Sequence, residues 1–137
     1  ISVIKAELIL PVEESDLSSE NYPKPNQIGL RYITSDGKKN RLPDDPYFSG
    51  SNGINYFSGQ YADKQKAYIF RLDNFMQQYF AGNIDFKGLE LFVGNLVSYN
   101  YGQIVYIDYN AISLNRVVLT SGNNSNPLRL KLYYVPY

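Results

Sequence analysis

Apolar and polar residues alternate with a period of two in several segments of this chain, which limits the folds that it can adopt. The alternation is clearest in the opening segment, Val3 to Val12. Every second residue there is apolar, and these side chains define the face that we expect to be buried: Ile4, Ala6, Leu8 and Leu10. Lys5 and Glu7 occupy the opposite face. Because successive side chains of a strand point to opposite sides, the pattern predicts a half-buried strand.

Further short segments of strand-like pattern recur along the chain, separated by turn-forming residues. The predicted strands are Gln27 to Thr34, Ala67 to Leu72, Leu89 to Val93, Gln103 to Tyr109, Asn115 to Thr120 and Leu128 to Val135. Asp36-Gly37 is a strong hairpin signal. About seven or eight strands with turns between them predict an all-β fold, an antiparallel two-sheet sandwich of jelly-roll-like type with one short helix.

The single helix is predicted directly after Leu72. Asp73 is a suitable N-cap residue, and Gly82 is a suitable terminator. One helical face collects the apolar side chains Leu72, Phe75, Met76, Tyr79 and Phe80.

Composition narrows the classes of function. The chain has 137 residues, which fits one domain, and we expect residues 1–137 to form a single sandwich domain. Its 13 basic and 13 acidic residues cancel, so no net positive charge attracts nucleic acid or anionic lipid. No apolar run is long enough to span a bilayer.

The absence of cysteine and histidine argues against most catalytic machinery. It removes Cys-His and Ser-His-Asp nucleophiles and the usual zinc ligands. A glycosidase needs two carboxylates facing one cleft, whereas Glu7, Glu90 and Asp108 are each expected to point outward from a strand. We therefore predict that the chain is not an enzyme.

The order of several segments in the second half of the chain resembles that of a known class of modules. A strand and helix from Tyr68 to Gly82 are followed by Gly88-Leu89-Glu90-Leu91, then Asn115 to Leu119, and finally Pro127 to Tyr134. This order resembles the jelly-roll modules of bacterial cell-surface proteins. More narrowly, its last two parts resemble the C-terminal β-sandwich domain of an uncharacterised outer-membrane lipoprotein family of Bacteroidetes.

The resemblance implies a sandwich fold and an extracytoplasmic location, at the outer membrane or cell surface. The narrower family has no assigned activity, so no catalytic or binding residue follows from it. Since the chain begins at Ile1 within a strand-like pattern, we expect a fragment of a longer protein, lipid-anchored through its missing N-terminal part.

Aromatic residues mark the candidate ligand-binding surface. The segment from Leu42 to Asp63 is rich in turn formers and is expected to be a long loop, and a second loop surrounds Asn100. The candidate binding residues in these loops are Tyr47, Tyr56, Phe57, Tyr61, Tyr99 and Tyr101. Aromatic faces with neighbouring amides suit a glycan, but the same rings also serve to pack a long loop onto the sandwich.

Calcium is the one metal that the composition accommodates, because carboxylate and backbone oxygens suffice for it. Asp44 and Asp45 are the candidate ligands, although paired Asp between prolines is also ordinary turn chemistry. No other cofactor is expected.

The function predicted from the sequence is that of a non-catalytic cell-surface module with a structural or macromolecular-interaction role. Its partner would be a surface protein or a glycan. The alternatives are a carbohydrate-binding module that uses the loop aromatics, an assembly component that pairs through an exposed strand edge, and, last, an enzyme.

Overall fold

The computed structural model describes residues 1–13, 24–25, 27–45, 58–93, 95–99, 104–108, 119 and 125–137. In these ranges the elements are, in chain order, β1 (Ser2–Pro11), β2 (Gly29–Ile33), β3 (Lys39–Arg41), β4 (Ser58–Ala62), β5 (Ala67–Arg71), α1 (Asp73–Phe80), β6 (Gly88–Phe92), β7 (Asn95–Tyr99), β8 (Ile104–Asp108) and β9 (Arg129–Val135).

Two antiparallel sheets form the body of the fold. One has four strands in the order β4-β5-β1-β9, and the other has three in the order β3-β2-β6. Strands β7 and β8 pair with each other as a separate antiparallel hairpin. The all-β two-sheet sandwich with one short helix, predicted from the sequence, is confirmed.

Among the residues that the structure describes, one hydrophobic cluster joins the two sheets. Alternate residues of β1, namely Ala6, Leu8 and Leu10, contribute one side of it. Leu30 of β2 and Phe75 of α1 contribute from the other elements. The period-two pattern of β1 therefore marks the face that is buried between the sheets.

Ile4 departs from that pattern. A bulge between Val3 and Lys5 shifts the register of β1 against β9. Ile4 is consequently 62% exposed, whereas Val3 packs against the core. The prediction that Ile4 is buried was wrong, because one extra residue in a strand reverses the facing of the residues before it.

The helix lies against the first half of β1. The side chain of Asp73 accepts the backbone N–H of Ala6 at 2.7 Å, and that of Gln77 accepts the N–H of Val3 at 2.8 Å. N–H groups on one edge of a regular strand recur every two residues. These two are three residues apart because the bulge at Ile4 inserts one residue between them. Side chains of α1 thus satisfy the edge of β1 beyond the end of β5.

Asp73 is not the N-cap of α1, contrary to the prediction. Leu72 holds the cap position and makes no side-chain cap bond, while Asp73 lies in the first turn. The end of the helix follows the sequence: Gly82 adopts a φ of 77°, and its N–H bonds to the carbonyl of Tyr79 at 3.0 Å. The next N–H, of Asn83, bonds to Gln78, which completes a Schellman motif.

Two segments expected to be loops contain strands. Ser58–Ala62 pairs with β5, so the end of the Leu42 to Asp63 segment belongs to the four-stranded sheet. Tyr99 lies in β7 and pairs with Ile104. Of the predicted strand over residues 115–120, the structure describes Leu119 alone, which bridges to Val12.

Candidate functional site

Tyr61 is the one candidate ligand-binding aromatic whose side chain the structure describes. Its ring meets the buried ring of Tyr68 edge-on, with centroids 5.4 Å apart. The ammonium of Lys24 lies 4.5 Å from the Tyr61 centroid. Burial, followed by the charge of Asp63, raises the pKa of the Tyr61 hydroxyl. Tyr61 is therefore a half-buried residue that packs on Tyr68 with a cation over its ring, and its part in ligand binding stays a prediction.

The other aromatic candidates fall mostly outside the described residues. These are Tyr47, Tyr56, Phe57 and Tyr101. For Tyr99, only the backbone of β7 is described. The structure thus does not bring the candidate set together, and the loop-aromatic site stays a prediction.

Asp44, a candidate calcium ligand, binds the N-terminus of α1. Its carboxylate oxygens accept the backbone N–H groups of Asn74 at 2.8 Å and Phe75 at 2.7 Å. These are the donors that an N-cap side chain normally satisfies. Burial raises the pKa of Asp44 above its ordinary value, against the opposing effect of the two N–H groups. A carboxylate from the β3–β4 connection thus replaces the cap that Leu72 cannot supply.

Asp45 has a different partner from its neighbour. It is buried, and its carboxylate accepts a hydrogen bond from Nη1 of Arg41 at 3.1 Å. Within the ranges described, no group of three or more acidic, histidine or cysteine side chains is arranged to hold a metal ion. Helix capping and an ion pair account for both Asp44 and Asp45, and calcium binding there stays a prediction.

Glu90 and Glu7, two acidic residues of the described strands, form ion pairs with basic side chains. The carboxylate of Glu90 receives hydrogen bonds from Nε of Arg31 at 2.8 Å and from Nζ of Lys39 at 3.1 Å. These bonds lower the pKa of Glu90, first through Arg31 and then through Lys39. Glu7 forms an ion pair with Lys5 at 2.7 Å. A general acid at neutral pH needs a raised pKa, so the lowered pKa of Glu90 does not suit that role.

Strand β9 presents the main apolar surface of the described chain. It is the end strand of the four-stranded sheet, and among described strands it pairs with β1 alone. Four of its residues are between 46% and 50% exposed: Leu130, Tyr133, Tyr134 and Val135. Large apolar side chains on a strand that pairs on one side only, as β9 does among the described strands, favour addition of another strand.

Both faces of β9 contribute to this surface. Leu130 and Leu132 lie beside Leu8 and Ala6 of β1, on the core side of the sheet. Leu132 packs against the core, whereas Leu130 lies at its margin and stays partly in solvent. On the outer face, Tyr133 lies opposite Lys5, whose ammonium is 5.8 Å from the ring centroid. Hereafter the β9 edge means residues 129–135.

A second group of exposed rings lies where α1 ends. Tyr79, Phe80 and Phe86 are each partly exposed, although the sequence places Tyr79 and Phe80 on the buried helical face. Phe86 meets Phe75 and Tyr79 nearly edge-on, at centroid distances of 5.4 and 5.7 Å. The rings therefore pack on one another and leave part of their area in solvent.

Comparison with known proteins identifies no relative. No protein-family model, no curated protein and no solved structure matches the chain. The described part of the chain also contains no helix long and apolar enough to cross a bilayer.

Proposed function

We propose that this chain is a non-catalytic β-sandwich module that binds another protein by strand addition at the β9 edge. The observation that carries the proposal is the pairing of β9 with β1 alone among described strands, combined with the exposure of its large apolar side chains. A lone exposed apolar residue is ordinary on a protein surface, but several along one sheet edge form a contiguous contact area.

The chemistry of the edge favours a protein strand over a glycan. An incoming strand satisfies the outward N–H and C=O groups of β9 and places its side chains beside those of both faces. Strand β9 contains two leucines and a valine besides its two tyrosines. Aliphatic side chains of this kind offer a sugar no flat aromatic face. The neutral net charge of the chain also suits contact with a protein rather than with a polyanion.

The non-catalytic part of the proposal is supported by the acidic residues. Glu90 is neutralised by two cations and Glu7 by one, in positions on the sheet surface. Asp44 and Asp45 are engaged in structural contacts with α1 and Arg41. Each of these carboxylates has a local partner that explains its presence.

Capture of a partner by the immobilised chain tests the proposal. The variants are Leu130→Lys, on the β9 edge, and Tyr79→Lys, at the end of α1. The two positions are comparably exposed, at 46% and 43%, and both acquire the same new side chain. The proposal expects Leu130→Lys to lose a protein that the unaltered chain captures from an envelope fraction, while Tyr79→Lys keeps it. Equal capture by all three chains contradicts the β9 edge as the contact surface.

A location at the cell surface belongs to the same proposal. It is supported by the resemblance of residues 68–134 to bacterial surface modules. Protease treatment of intact cells tests it: removal of the module without cell lysis supports surface exposure, and full protection contradicts it.

Carbohydrate binding is the second candidate, favoured by the rings at the end of α1. Tyr79, Phe80 and Phe86 are near in sequence to Gln78 and Asn83, whose side-chain amides hydrogen-bond to each other at 2.9 Å. A thermal-shift screen with soluble polysaccharides tests this, since a ligand of the folded state raises the melting temperature. A rise that disappears in Tyr79→Ala supports the candidate; no rise with any polysaccharide contradicts it.

A further inference from the structure

We infer that the strand added to the β9 edge is β9 of a second copy of this chain, paired antiparallel about Leu132. This inference rests on the proposed function and specifies its partner. It follows from the order of residues in Arg129-Leu130-Lys131-Leu132-Tyr133-Tyr134-Val135. Two-fold pairing of one strand with itself is the simplest isologous interface that a sheet edge offers.

Pairing about Leu132 places compatible side chains opposite each other along the whole strand. Leu130 of one copy lies opposite Tyr134 of the other, and Lys131 lies opposite Tyr133. Arg129 lies opposite Val135, and Leu132 lies opposite itself. Aliphatic–aromatic pairs and a lysine beside a tyrosine ring are favourable cross-strand neighbours. No two like charges face each other in this register.

Neighbouring registers are worse on physical grounds. Centring on Lys131 puts that ammonium opposite its own copy, and centring on Leu130 puts Arg129 opposite Lys131. Like charges directly opposite are destabilising in a sheet. Centring on Tyr133 brings Pro136 opposite Leu130, where a proline supplies no N–H to the ladder. The charges of β9 disfavour the registers centred on Lys131 and Leu130, and Pro136 disfavours the one centred on Tyr133.

Pairing about Leu132 also places the core-side faces of the two sheets on the same side of the combined sheet. A two-fold axis perpendicular to the sheet pairs residues of equal parity, so core-side residues of both copies stay on one side. Two four-stranded sheets then become one continuous sheet of eight strands. Core-side Leu130 and Tyr134, each about half exposed in one copy, gain cover from the other.

Charge substitutions at Val135 test the partner, and they distinguish pairing about Leu132 from pairing about Lys131 or Leu130. Val135→Glu puts a carboxylate opposite Arg129 of the second copy, whereas Val135→Lys puts an ammonium there. Within one chain Val135 pairs with uncharged Ser2, so neither variant meets a charge across β1. Gln65→Glu and Gln65→Lys are matched controls, since Gln65 is exposed in the β4–β5 turn. Dimer dissociation constants are measured for all five chains by sedimentation velocity at low salt.

The inference expects a concentration-dependent dimer of the unaltered chain. Because the substituted pair occurs twice per dimer, Val135→Glu should lower the dissociation constant and Val135→Lys should raise it, each by roughly five- to tenfold. The Gln65 controls should leave it unchanged, and 1 M salt should remove most of the difference. A chain that is monomeric at every concentration, or equal shifts in both Val135 variants, overturns the inference. If Leu130→Lys still abolishes capture of a different protein in that case, the proposed function stands with another partner.

Discussion

The carboxylate of Asp44 accepts the backbone N–H of Phe75 at 2.7 Å, across 31 positions of sequence. Together with the bond to Asn74, this contact caps α1 from the β3–β4 connection. It joins a segment between two strands to the helix that covers the edge of β1. The helix N-terminus is therefore stabilised by tertiary structure rather than by its own flanking residue.

Loss of this cap should destabilise the protein. We expect Asp44→Ala to lower the free energy of unfolding by about 1–2 kcal/mol, the range for removing a helix cap. Asp44→Asn, which keeps one acceptor oxygen, should lower it less. The measurement is equilibrium urea denaturation. Asp63→Ala removes a carboxylate from an exposed turn and serves as the control; equal losses in Asp44→Ala and Asp63→Ala would show that the cap contributes nothing.

The pKa of Asp44 predicts the sign of a pH effect. Burial raises the folded-state pKa above the ordinary value of 3.8, so the folded chain binds this proton more tightly than the unfolded chain does. The contribution of Asp44 to stability is then fully present below the unfolded pKa and falls as the pH rises through the folded pKa. The unfolding free energy of the unaltered chain, minus that of Asp44→Asn, should therefore decrease from pH 3 toward pH 7. A difference that increases over this range would contradict the assigned direction.

Gly59 should tolerate no side chain. Its φ is 79°, at the irregularity between Ser58 and Gln60 in β4, and a Cβ there would lie 2.5 Å from the carbonyl oxygen of Ile28. Gly37 has a similar φ of 86° with open space around it, so it reports the backbone strain alone. We expect Gly37→Ala to cost about 1 kcal/mol and Gly59→Ala about 2 kcal/mol more, because the steric overlap adds to the strain.

Thermal unfolding of both glycine variants checks this prediction. Gly88→Ala is the neutral reference, since its Cβ meets nothing within 4 Å and its φ is not in the left-handed region. Indistinguishable melting temperatures for Gly59→Ala and Gly37→Ala would mean that the close approach of a Cβ to Ile28 does not destabilise the protein.

The hydroxyl of Tyr68 should contribute measurably to stability. Tyr68 is fully buried, and its hydroxyl donates to the carbonyl of Pro25 at 2.5 Å. Tyr68→Phe keeps the ring but leaves that carbonyl without this donor, so we expect a loss of about 1–2 kcal/mol in urea denaturation. Tyr61→Phe, at a half-buried ring on the same sheet, is the matched control and should change stability by less than about 0.5 kcal/mol. A larger loss of unfolding free energy in Tyr61→Phe than in Tyr68→Phe would contradict the stabilising role of the Tyr68 hydroxyl.

The sequence predicts those parts of the fold that depend on local pattern. Alternation identifies the buried face of β1 from Ala6 onward, and Asp36-Gly37 identifies the β2–β3 hairpin. Gly82 terminates α1 as expected. These features are determined within a few residues of chain, where the period of the apolar pattern and the conformational freedom of glycine act directly.

Features that depend on distant contacts could not be predicted in this way. The bulge at Ile4 is visible only when β1 is paired with β9, and the cap from Asp44 requires the folded position of the β3–β4 connection. Strand β4 was missed because it is short, contains Gly59, and follows a long segment rich in turn formers. Its strand conformation depends on pairing with β5 rather than on its own composition.

The β9 edge likewise has one feature that the local sequence predicts and one that depends on distant contacts. The alternation of Leu128, Leu130 and Leu132 predicts a strand with an apolar face, which β9 is. It does not show that β9 ends the sheet, where Leu130 lies at the margin of the core instead of inside it. Exposure of an apolar strand follows from the order of strands in the sheet, which no local pattern in the sequence determines.

Hydrogen–deuterium exchange over residues 129–135, compared between dilute and concentrated protein, tests whether β9 pairs with a second copy. Strand β4 ends the same sheet on its other side and serves as the internal reference. If two copies pair through β9, its outward N–H groups acquire acceptors, and exchange of this strand slows as the concentration rises while exchange of β4 stays constant. Exchange over residues 129–135 that is the same at both concentrations would contradict pairing of β9 with a second copy.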